Sequence, residues 1–173
     1  MRHFLHPNNF HFFQKLRNLS DRVFKLGEND ELFIAYFQNF TNTYAEISVL
    51  RERYDSALID KRIKILSIGT RPDCISSEIL DLLADISTRK YVAVEYGIES
   101  TLDTTLSHVN RGHGFTVAQR AVVQTKERNI DVGAHFILGL PGESREHLVM
   151  QTSAINYLNL NFVKFHQLQI YHN

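Results

Sequence analysis

The sequence predicts an α/β fold, a partial (β/α) barrel with five parallel strands. Short apolar runs alternate with helical patterns at intervals of about thirty residues, as in parallel strands joined by right-handed crossover helices. One face of each run is polar, whereas an open sheet covered on both faces by helices has strands that are apolar throughout. A polar row repeated on several strands is typical of a ligand-lined barrel interior. The barrel is therefore favoured over an open doubly wound sheet.

The elements follow one another in regular order after an irregular start. Strands are expected at residues 32–38, 64–70, 91–97, 131–139 and 162–171. Helices are expected at residues 12–26, 45–58, 76–87, 101–109, 116–128 and 143–158. Ser76 suits the N-cap of the third helix, with Glu78 in its first turn. As domains, we expect an N-terminal helical segment at residues 1–30 and the truncated barrel domain at residues 31–173.

The polar row is made of side chains that are expected to face the barrel interior. Its members are Tyr36, Gln38, Ser67, Glu95, Glu99, His135, Lys164 and His166, and the intervening Val94, Phe136 and Phe165 suit the helix-facing side. Glu95 is the most informative, because a carboxylate at a buried mid-strand position must be paired or hydrogen-bonded to stay charged. His135 taken alone is more often a satisfied core histidine than a ligand or a base.

Composition excludes several function classes. The 173 residues fit one domain, and 19 basic residues balance 19 acidic ones, so net charge indicates neither nucleic acid nor a membrane surface as partner. No apolar run approaches the roughly 20 residues of a membrane span, and the N-terminus lacks a signal-peptide pattern. The single cysteine, Cys74, excludes a disulfide framework and a Cys-only iron–sulfur site within this chain, and fits a reducing cytoplasm. We interpret Cys74 as a half-buried loop residue.

Candidate binding residues cluster where the predicted strands end, which is where β/α barrels place their active sites. They are Gln38, Thr41, Asn42, Thr43, Arg71, Glu95, Glu99, Ser100, Gly139 and Glu143. Neutral hydrogen-bonding groups, an arginine, carboxylates and a glycine turn suit a zwitterionic, ribose-bearing ligand. A phosphate cradle is disfavoured, because no glycine-rich loop carries the lysine of a P-loop.

Each of these groups also has a purely structural interpretation. The run Thr-Asn-Thr at residues 41–43 is often turn and cap chemistry, and Arg71 can pair with Asp73 across a surface turn. The Gly-Leu-Pro-Gly stretch at residues 139–142 is a common turn type. The functional interpretation gains weight because all of these groups fall at the same end of successive strands.

Four segments resemble successive blocks of the radical S-adenosylmethionine (SAM) superfamily. They are YFQNFTNTYA, SIGTRPDCIS, VEYGIESTLDTTLSHVNRGH and HFILGLPGES. They are most similar to an uncharacterised bacterial group of Fe–S oxidoreductases, and more distantly to oxygen-independent coproporphyrinogen oxidases and the elongator catalytic subunit. The resemblance implies a partial TIM-like barrel in which a [4Fe–4S] cluster binds SAM and cleaves it reductively to a 5′-deoxyadenosyl radical.

The resemblance also implies roles for the strand ends. Residues 38–43 would hold the methionine amino group, and residues 70–71 and 95–100 would face the ribose and the carboxylate. The turn at Gly139 would lay its backbone against the adenine, so that its glycines let the chain approach a purine face.

The sequence departs from the family in its cysteines. Family members hold the cluster with a C-x3-C-x2-C run after the first strand, whereas Cys74 lies after a later strand. We therefore expect a truncated or inactive core whose first strand is missing and which holds no cluster. Truncation is favoured, because the other blocks keep their polar residues. The alternative is a non-catalytic nucleoside-binding or interaction module. Nothing in the sequence selects a nucleic acid, a protein or a metabolite as substrate.

Overall fold

A computed structural model describes residues 33–169 of the chain. The strands are β1 (Phe33–Phe37), β2 (Ile63–Thr70), β3 (Tyr91–Glu99), β4 (Asp131–Leu138) and β5 (Phe162–Gln167). The helices are α1 (Ile47–Ala57), α2 (Ser77–Ser87), α3 (Asp103–His108), α4 (Phe115–Lys126) and α5 (Arg145–Tyr157), with a 3-10 turn at Pro72–Cys74. The predicted helix at 12–26 and the end of the strand predicted at 162–171 lie outside the described residues.

All five strands belong to one parallel sheet whose spatial order equals the chain order, β1-β2-β3-β4-β5. A doubly wound sheet reverses its strand order at a switch point. A sheet that only advances in one direction keeps its crossover helices on one face, because such crossovers are almost always right-handed. The predicted α/β alternation is confirmed, and the topology is that of a barrel rather than of a doubly wound sheet.

The sheet curls into a half-barrel. Five strands in a flat sheet would put the first and last about 19 Å apart, at about 4.8 Å per neighbour. Yet Lys164 Nζ of β5 donates a hydrogen bond to the Tyr36 hydroxyl of β1 at 2.9 Å. Only a strongly concave sheet brings these two side chains together. The predicted partial barrel is confirmed, with the polar row on its concave face.

Alternation along the strands separates the two faces of the sheet as predicted. On the helix side, Val94 and Phe136 are buried, and the hydroxyl of Tyr96 meets Thr125 of α4 at 2.7 Å. Phe165 lies on this same side but is 55% exposed, because it belongs to β5, the last strand of the described sheet. Across residues 33–169, none of the helices has the length and apolar character needed to cross a bilayer.

The helix ends follow local capping chemistry. Ser76 accepts a hydrogen bond from the backbone N–H of Ile79 at 3.2 Å, which confirms it as the predicted N-cap of α2. Helix α5 begins at Arg145, two residues later than predicted, because Ser144 and His147 form a reciprocal capping box there. The helix predicted at 101–109 is the shorter α3.

Candidate functional site

A cleft of about 260 Å³ opens at the carboxyl ends of β1 to β4. It is lined by Tyr36, Gln38, Phe40, Thr41, Gly69, Thr70, Arg71, Glu95, Gly97, Glu99, Arg111 and His135. Five of the sequence-predicted residues are therefore found together, namely Gln38, Thr41, Arg71, Glu95 and Glu99. The lining contains two arginines and two carboxylates as well as neutral hydrogen-bonding groups, so it offers partners to both charges of a zwitterion.

The end of β3 is irregular, and this irregularity places Glu99 in the cleft. The register with β4 shifts between Gly97 and Glu99, and Glu99 has a left-handed backbone with φ 72°. Such a bulge changes the direction of a side chain at the end of a strand. A positive φ is uncommon for glutamate and typically marks a functional or strained position.

Glu99 is paired with Arg111, which comes from the loop after α3. Arg111 Nη2 lies 3.3 Å from Glu99 Oε1, and the same nitrogen donates to the carbonyl oxygen of Gly97. Gly97 makes this possible, since a Cβ there would lie 2.7 Å from both Arg111 Nη2 and Glu99 Oε1. Burial raises the pKa of Glu99, with Arg111 and His135 opposing the rise. The buried Nε of Arg111 has no partner within residues 33–169, so this guanidinium retains a donor.

Arg71 forms the ion pair with Asp73 that the sequence allowed, and it also lies at the cleft. It forms a two-pronged ion pair with Asp73, from Nε at 2.9 Å and from Nη2 at 2.6 Å. Its guanidinium also lines the cleft. Gly112, with φ 85°, leaves room for it, because a Cβ there would lie 2.7 Å from Arg71 Nη2. Asp73 thus fixes the arginine at the cleft wall.

Glu95 is the centre of a polar network to which every strand contributes one side chain. Its Oε1 accepts from Ser67 Oγ at 2.6 Å. Its Oε2 accepts from the Tyr36 hydroxyl at 3.1 Å and from Lys164 Nζ at 2.8 Å, and lies 2.8 Å from His135 Nε2. These residues come from β2, β1, β5 and β4, so the carboxylate of β3 connects the whole sheet.

The network keeps Glu95 ionised although its side chain has no solvent exposure. Burial by itself would raise the pKa of Glu95, but the hydrogen bond with His135 and the charge of Lys164 outweigh it and lower the pKa to about 2. Burial and the neighbouring Glu95 carboxylate both raise the pKa of Tyr36. The prediction that Glu95 must be paired to remain charged is confirmed by these contacts.

Two predicted residues of the loop after β1 brace that loop from outside the cleft. Asn42 Nδ2 donates to the carbonyl oxygens of Phe37 at 3.0 Å and Gly69 at 2.8 Å. Thr43 is buried, and its Oγ1 lies 2.6 Å from Thr70 Oγ1 and donates to the carbonyl of Cys74 at 2.5 Å. Their side chains hold the β1 and β2 ends together, which is the structural role that the sequence left open.

Ser100, Glu143 and Gly139 also lie outside the cleft lining. Ser100 Oγ donates to Glu143 Oε1 at 2.5 Å and contacts Gln151 at 3.1 Å, which ties the end of β3 to α5. Gly139 has φ 87°, and a Cβ there would meet nothing within 4 Å. The positive φ is therefore the reason for a glycine at this position. The space beside Gly139 is open, and the approach of a purine to it stays a prediction.

The site list drawn from the sequence omitted Tyr36, His135, Lys164 and Arg111. The first three were recognised as members of the polar row, and their alternation with Glu95 was the signal that could have added them. Arg111 belongs to the segment VEYGIESTLDTTLSHVNRGH, which begins in the third predicted strand, but it lies in a loop after a helix, and only the fold shows that it reaches the cleft.

The described residues do not form a site for a [4Fe–4S] cluster. Cys74 is half-buried in the 3-10 turn after β2, and burial and the charge of Asp73 raise the pKa of its thiol. Cluster ligation needs several thiolates. Among residues 33–169, no three His, Cys, Asp or Glu side chains are grouped so that they could hold a metal ion.

The five parallel strands define the class of the fold, an α/β half-barrel with a polar cleft at its strand ends, and comparison with known proteins identifies the family. The profile of the Radical SAM superfamily matches residues 13–150, and the chain belongs to this superfamily. It is 37% identical over 139 residues to YhcC of Escherichia coli, covering 80% of this chain and 45% of YhcC. It is 35% identical over 158 residues to YtqA of Bacillus subtilis, covering 91% of this chain and 48% of YtqA. The chain thus spans about half the length of these relatives.

Solved structures share the fold at low sequence identity. Elp3 of Methanocaldococcus infernus superposes with a TM-score of 0.66 at 22% identity, covering 91% of this chain and 41% of Elp3. The radical SAM coproporphyrinogen III oxidase HemN of Escherichia coli superposes with a TM-score of 0.62 at 16% identity, covering 95% of this chain and 39% of HemN. At these identities both likenesses show a shared fold and nothing further.

Proposed function

We propose that this chain is a SAM-binding core of the radical SAM type and that the cleft at the strand ends binds SAM. The observation that carries the proposal is that the cleft wall holds both charges: Arg111 is paired there with Glu99, and Arg71 is held there by Asp73 from outside the lining. A zwitterionic amino acid end needs an arginine for its carboxylate and acceptors for its ammonium group. Membership of the superfamily supports SAM as the ligand that carries such an end.

Individual groups have distinct roles in this proposal. Arg111, with its unsatisfied Nε, binds the methionine carboxylate. Gln38 and Thr41 hold the amino group, Glu99 accepts from ribose hydroxyls, and the open turn at Gly139 receives the adenine. Asn42, Thr43 and Ser100 keep the strand ends in place, and Glu143 supports Ser100.

We further propose that these 173 residues bind SAM without cleaving it. In the superfamily a [4Fe–4S] cluster supplies the electron for cleavage, and the single cysteine of this sequence cannot ligate one. Without a cluster, the chain is either an inactive form of an oxidoreductase-type core or a nucleoside-binding module. One cysteine also suits a reducing compartment, so we assign the protein to the cytoplasm.

Calorimetric titration of SAM into the purified chain tests the binding proposal. We expect saturable binding that Arg111→Met weakens at least about tenfold, because one charge-assisted contact to a carboxylate is worth about 1.5–3 kcal/mol. Arg128→Met is the matched control, since Arg128 pairs with Asp81 at 2.7 Å outside the cleft. No binding by the parent chain, or equal binding by Arg111→Met, would refute the proposal.

Anaerobic reconstitution with iron and sulfide tests the proposed loss of cleavage. We expect no stable absorbance in the visible charge-transfer region and no 5′-deoxyadenosine. Stable absorbance with turnover would show that residues other than cysteines ligate a cluster, and this part of the proposal would be wrong.

A further inference from the structure

A hydrogen-bonded pair of histidines lies on the concave face beside the cleft. The rings of His135 and His166 have centroids 5.0 Å apart and an interplanar angle of 23°, and His166 Nε2 lies 2.9 Å from His135 Nδ1. His135 Nε2 lies 2.8 Å from Oε2 of Glu95. Three titratable side chains thus form a continuous hydrogen-bonded chain from the fully buried Glu95 to the exposed His166.

The alternation of β5 places His166 on the same face as the network. Successive strand residues point to opposite faces, and Lys164 reaches Glu95 on the concave side. His166, two residues further on, shares that side, whereas Phe165 between them packs against Phe136 on the helix side. His166 is also the last residue but one of β5, so the exposed end of the hydrogen-bonded series lies near the carboxyl end of the strand, where barrel proteins place their active sites.

The ionised carboxylate fixes the direction of each hydrogen bond. Glu95 can only accept, so the proton of a neutral His135 is on Nε2, and its Nδ1 is an acceptor. His166 must then donate from Nε2, which leaves the lone pair on its Nδ1. This Nδ1 makes no hydrogen bond to any residue in the described range. The series of hydrogen-bonded side chains therefore ends at His166 Nδ1, a basic nitrogen at the surface of the concave face.

We propose that Glu95, His135 and His166 form a proton relay in which His166 is the acid–base group offered to a substrate on the concave face. A proton leaving a substrate hydroxyl or amine binds His166 Nδ1. The Nε2 proton of His166 passes to His135 Nδ1, and the resulting imidazolium lies against the Glu95 carboxylate. The relay follows from the contacts alone, and its use on a substrate beside SAM rests on the proposed function.

Charged and titratable side chains of β1, β3 and β5 surround the histidine pair. Glu95 Oε2 of β3 lies 2.8 Å from His135 Nε2, and Glu99 of the same strand is also within electrostatic reach of His135. Lys164 of β5 and the neutral Tyr36 hydroxyl of β1 complete the surroundings. Burial lowers the pKa of His166, and the charges of His135 and Lys164 lower it further.

Histidine chemistry in the ligand-free chain tests the relay directly. In 15N-correlated NMR spectra above the titration range, we expect both His135 and His166 as Nε2–H tautomers. We expect diethyl pyrocarbonate to modify His166 faster than the exposed His108. His166 Nδ1 is the attacking nitrogen, and the positive charge that develops on its ring is relieved when the His166 Nε2 proton passes to His135. Glu95→Gln should slow the modification of His166 about tenfold and leave that of His108 unchanged.

Variants separate the relay from simple packing. Glu95→Gln leaves Lys164 without its carboxylate, so the double variant Glu95→Gln with Lys164→Met provides a second, charge-balanced form in case the single variant fails to fold. A slow His166 in the folded double variant supports the relay. An Nδ1–H tautomer for His166 in the parent chain, or equal His166 reactivity in parent and variants, would overturn it. None of these measurements uses SAM, so failure of SAM binding would refute the proposed function and leave the relay standing.

Discussion

Two residues that line the cleft have backbone conformations that are unusual for their residue types. Phe40 has a left-handed backbone with φ 63° and a side chain that is 96% exposed, and it lines the cleft. A phenylalanine with positive φ is strained, and an exposed ring gains nothing from burial. Glu99 repeats the pattern with φ 72°. Strain of this kind clusters at ligand-binding positions, where it serves the contact with the ligand.

Replacing Phe40 separates strain from binding. We expect Phe40→Gly to raise the free energy of unfolding by about 1 kcal/mol, because glycine adopts the left-handed conformation without a steric penalty. We expect the same change to weaken SAM binding, because the ring at the mouth of the cleft is lost. Phe40→Ala is the matched control, since it removes the ring and keeps the strain. Urea unfolding and calorimetry measure the two effects, and a destabilised Phe40→Gly would show that the ring supports the fold.

The charge state of Glu95 gives a second prediction for a single residue. Its pKa is lowered to about 2 in the folded chain, so its stabilisation is fully present above its ordinary pKa and is lost as the pH falls toward 2. Between pH 7 and pH 3 this single group should cost about 2 kcal/mol of stability. We expect Glu95→Gln to lose less stability than the parent chain over that range in urea unfolding. Parallel losses in the two proteins would assign the acid sensitivity to other carboxylates.

At the scale of elements, small residues decide how closely strands and side chains approach. Gly133 of β4 lies under the ring of Phe162 of β5, and a Cβ there would lie 1.9 Å from that ring. The aromatic ring thus occupies the space that a side chain would need. The sequence showed Gly133 only as a small residue within a strand, because the identity of its neighbour depends on the β4–β5 register.

Filling the space at Gly133 should displace β5. We expect Gly133→Ala to reduce the free energy of unfolding by about 1–3 kcal/mol, the usual cost of overpacking. Gly133→Ala should cost less stability in the Phe162→Leu background than in the parent chain, because leucine leaves more room for the added methyl group. Thermal and urea unfolding measure the coupling. Purely additive effects of the two substitutions would contradict the contact.

At the scale of the whole molecule, the sequence predicted the fold more completely than the site. Alternating elements and a polar row were enough for a half-barrel, since both are local patterns with a period that a single strand reveals. The contacts among members of the polar row depend on how far the sheet curls, because curvature brings Lys164 of β5 to Tyr36 of β1. Arg111 comes from the loop after α3, so only the tertiary fold shows its pairing with Glu99. Asn42 and Thr43 show the converse, because their residue types suit a ligand and a loop brace equally well.

The curvature itself should depend on the pairing of Glu95 with Lys164, which joins the middle strand to the last. We expect Lys164→Met to reduce the free energy of unfolding by about 3–5 kcal/mol, because it leaves a buried carboxylate without its counter-charge. The double variant Lys164→Met with Glu95→Gln should be more stable than Lys164→Met alone, since a neutral buried pair avoids that penalty. If the pairing also sets the curvature, the double variant will bind SAM more weakly than the parent chain although it is folded, because Tyr36 at the cleft wall loses its contact with β5. Urea unfolding and calorimetry on the same preparations measure both quantities, and parent-like affinity in the double variant would show that the curvature is held by the backbone and the helix-facing core instead.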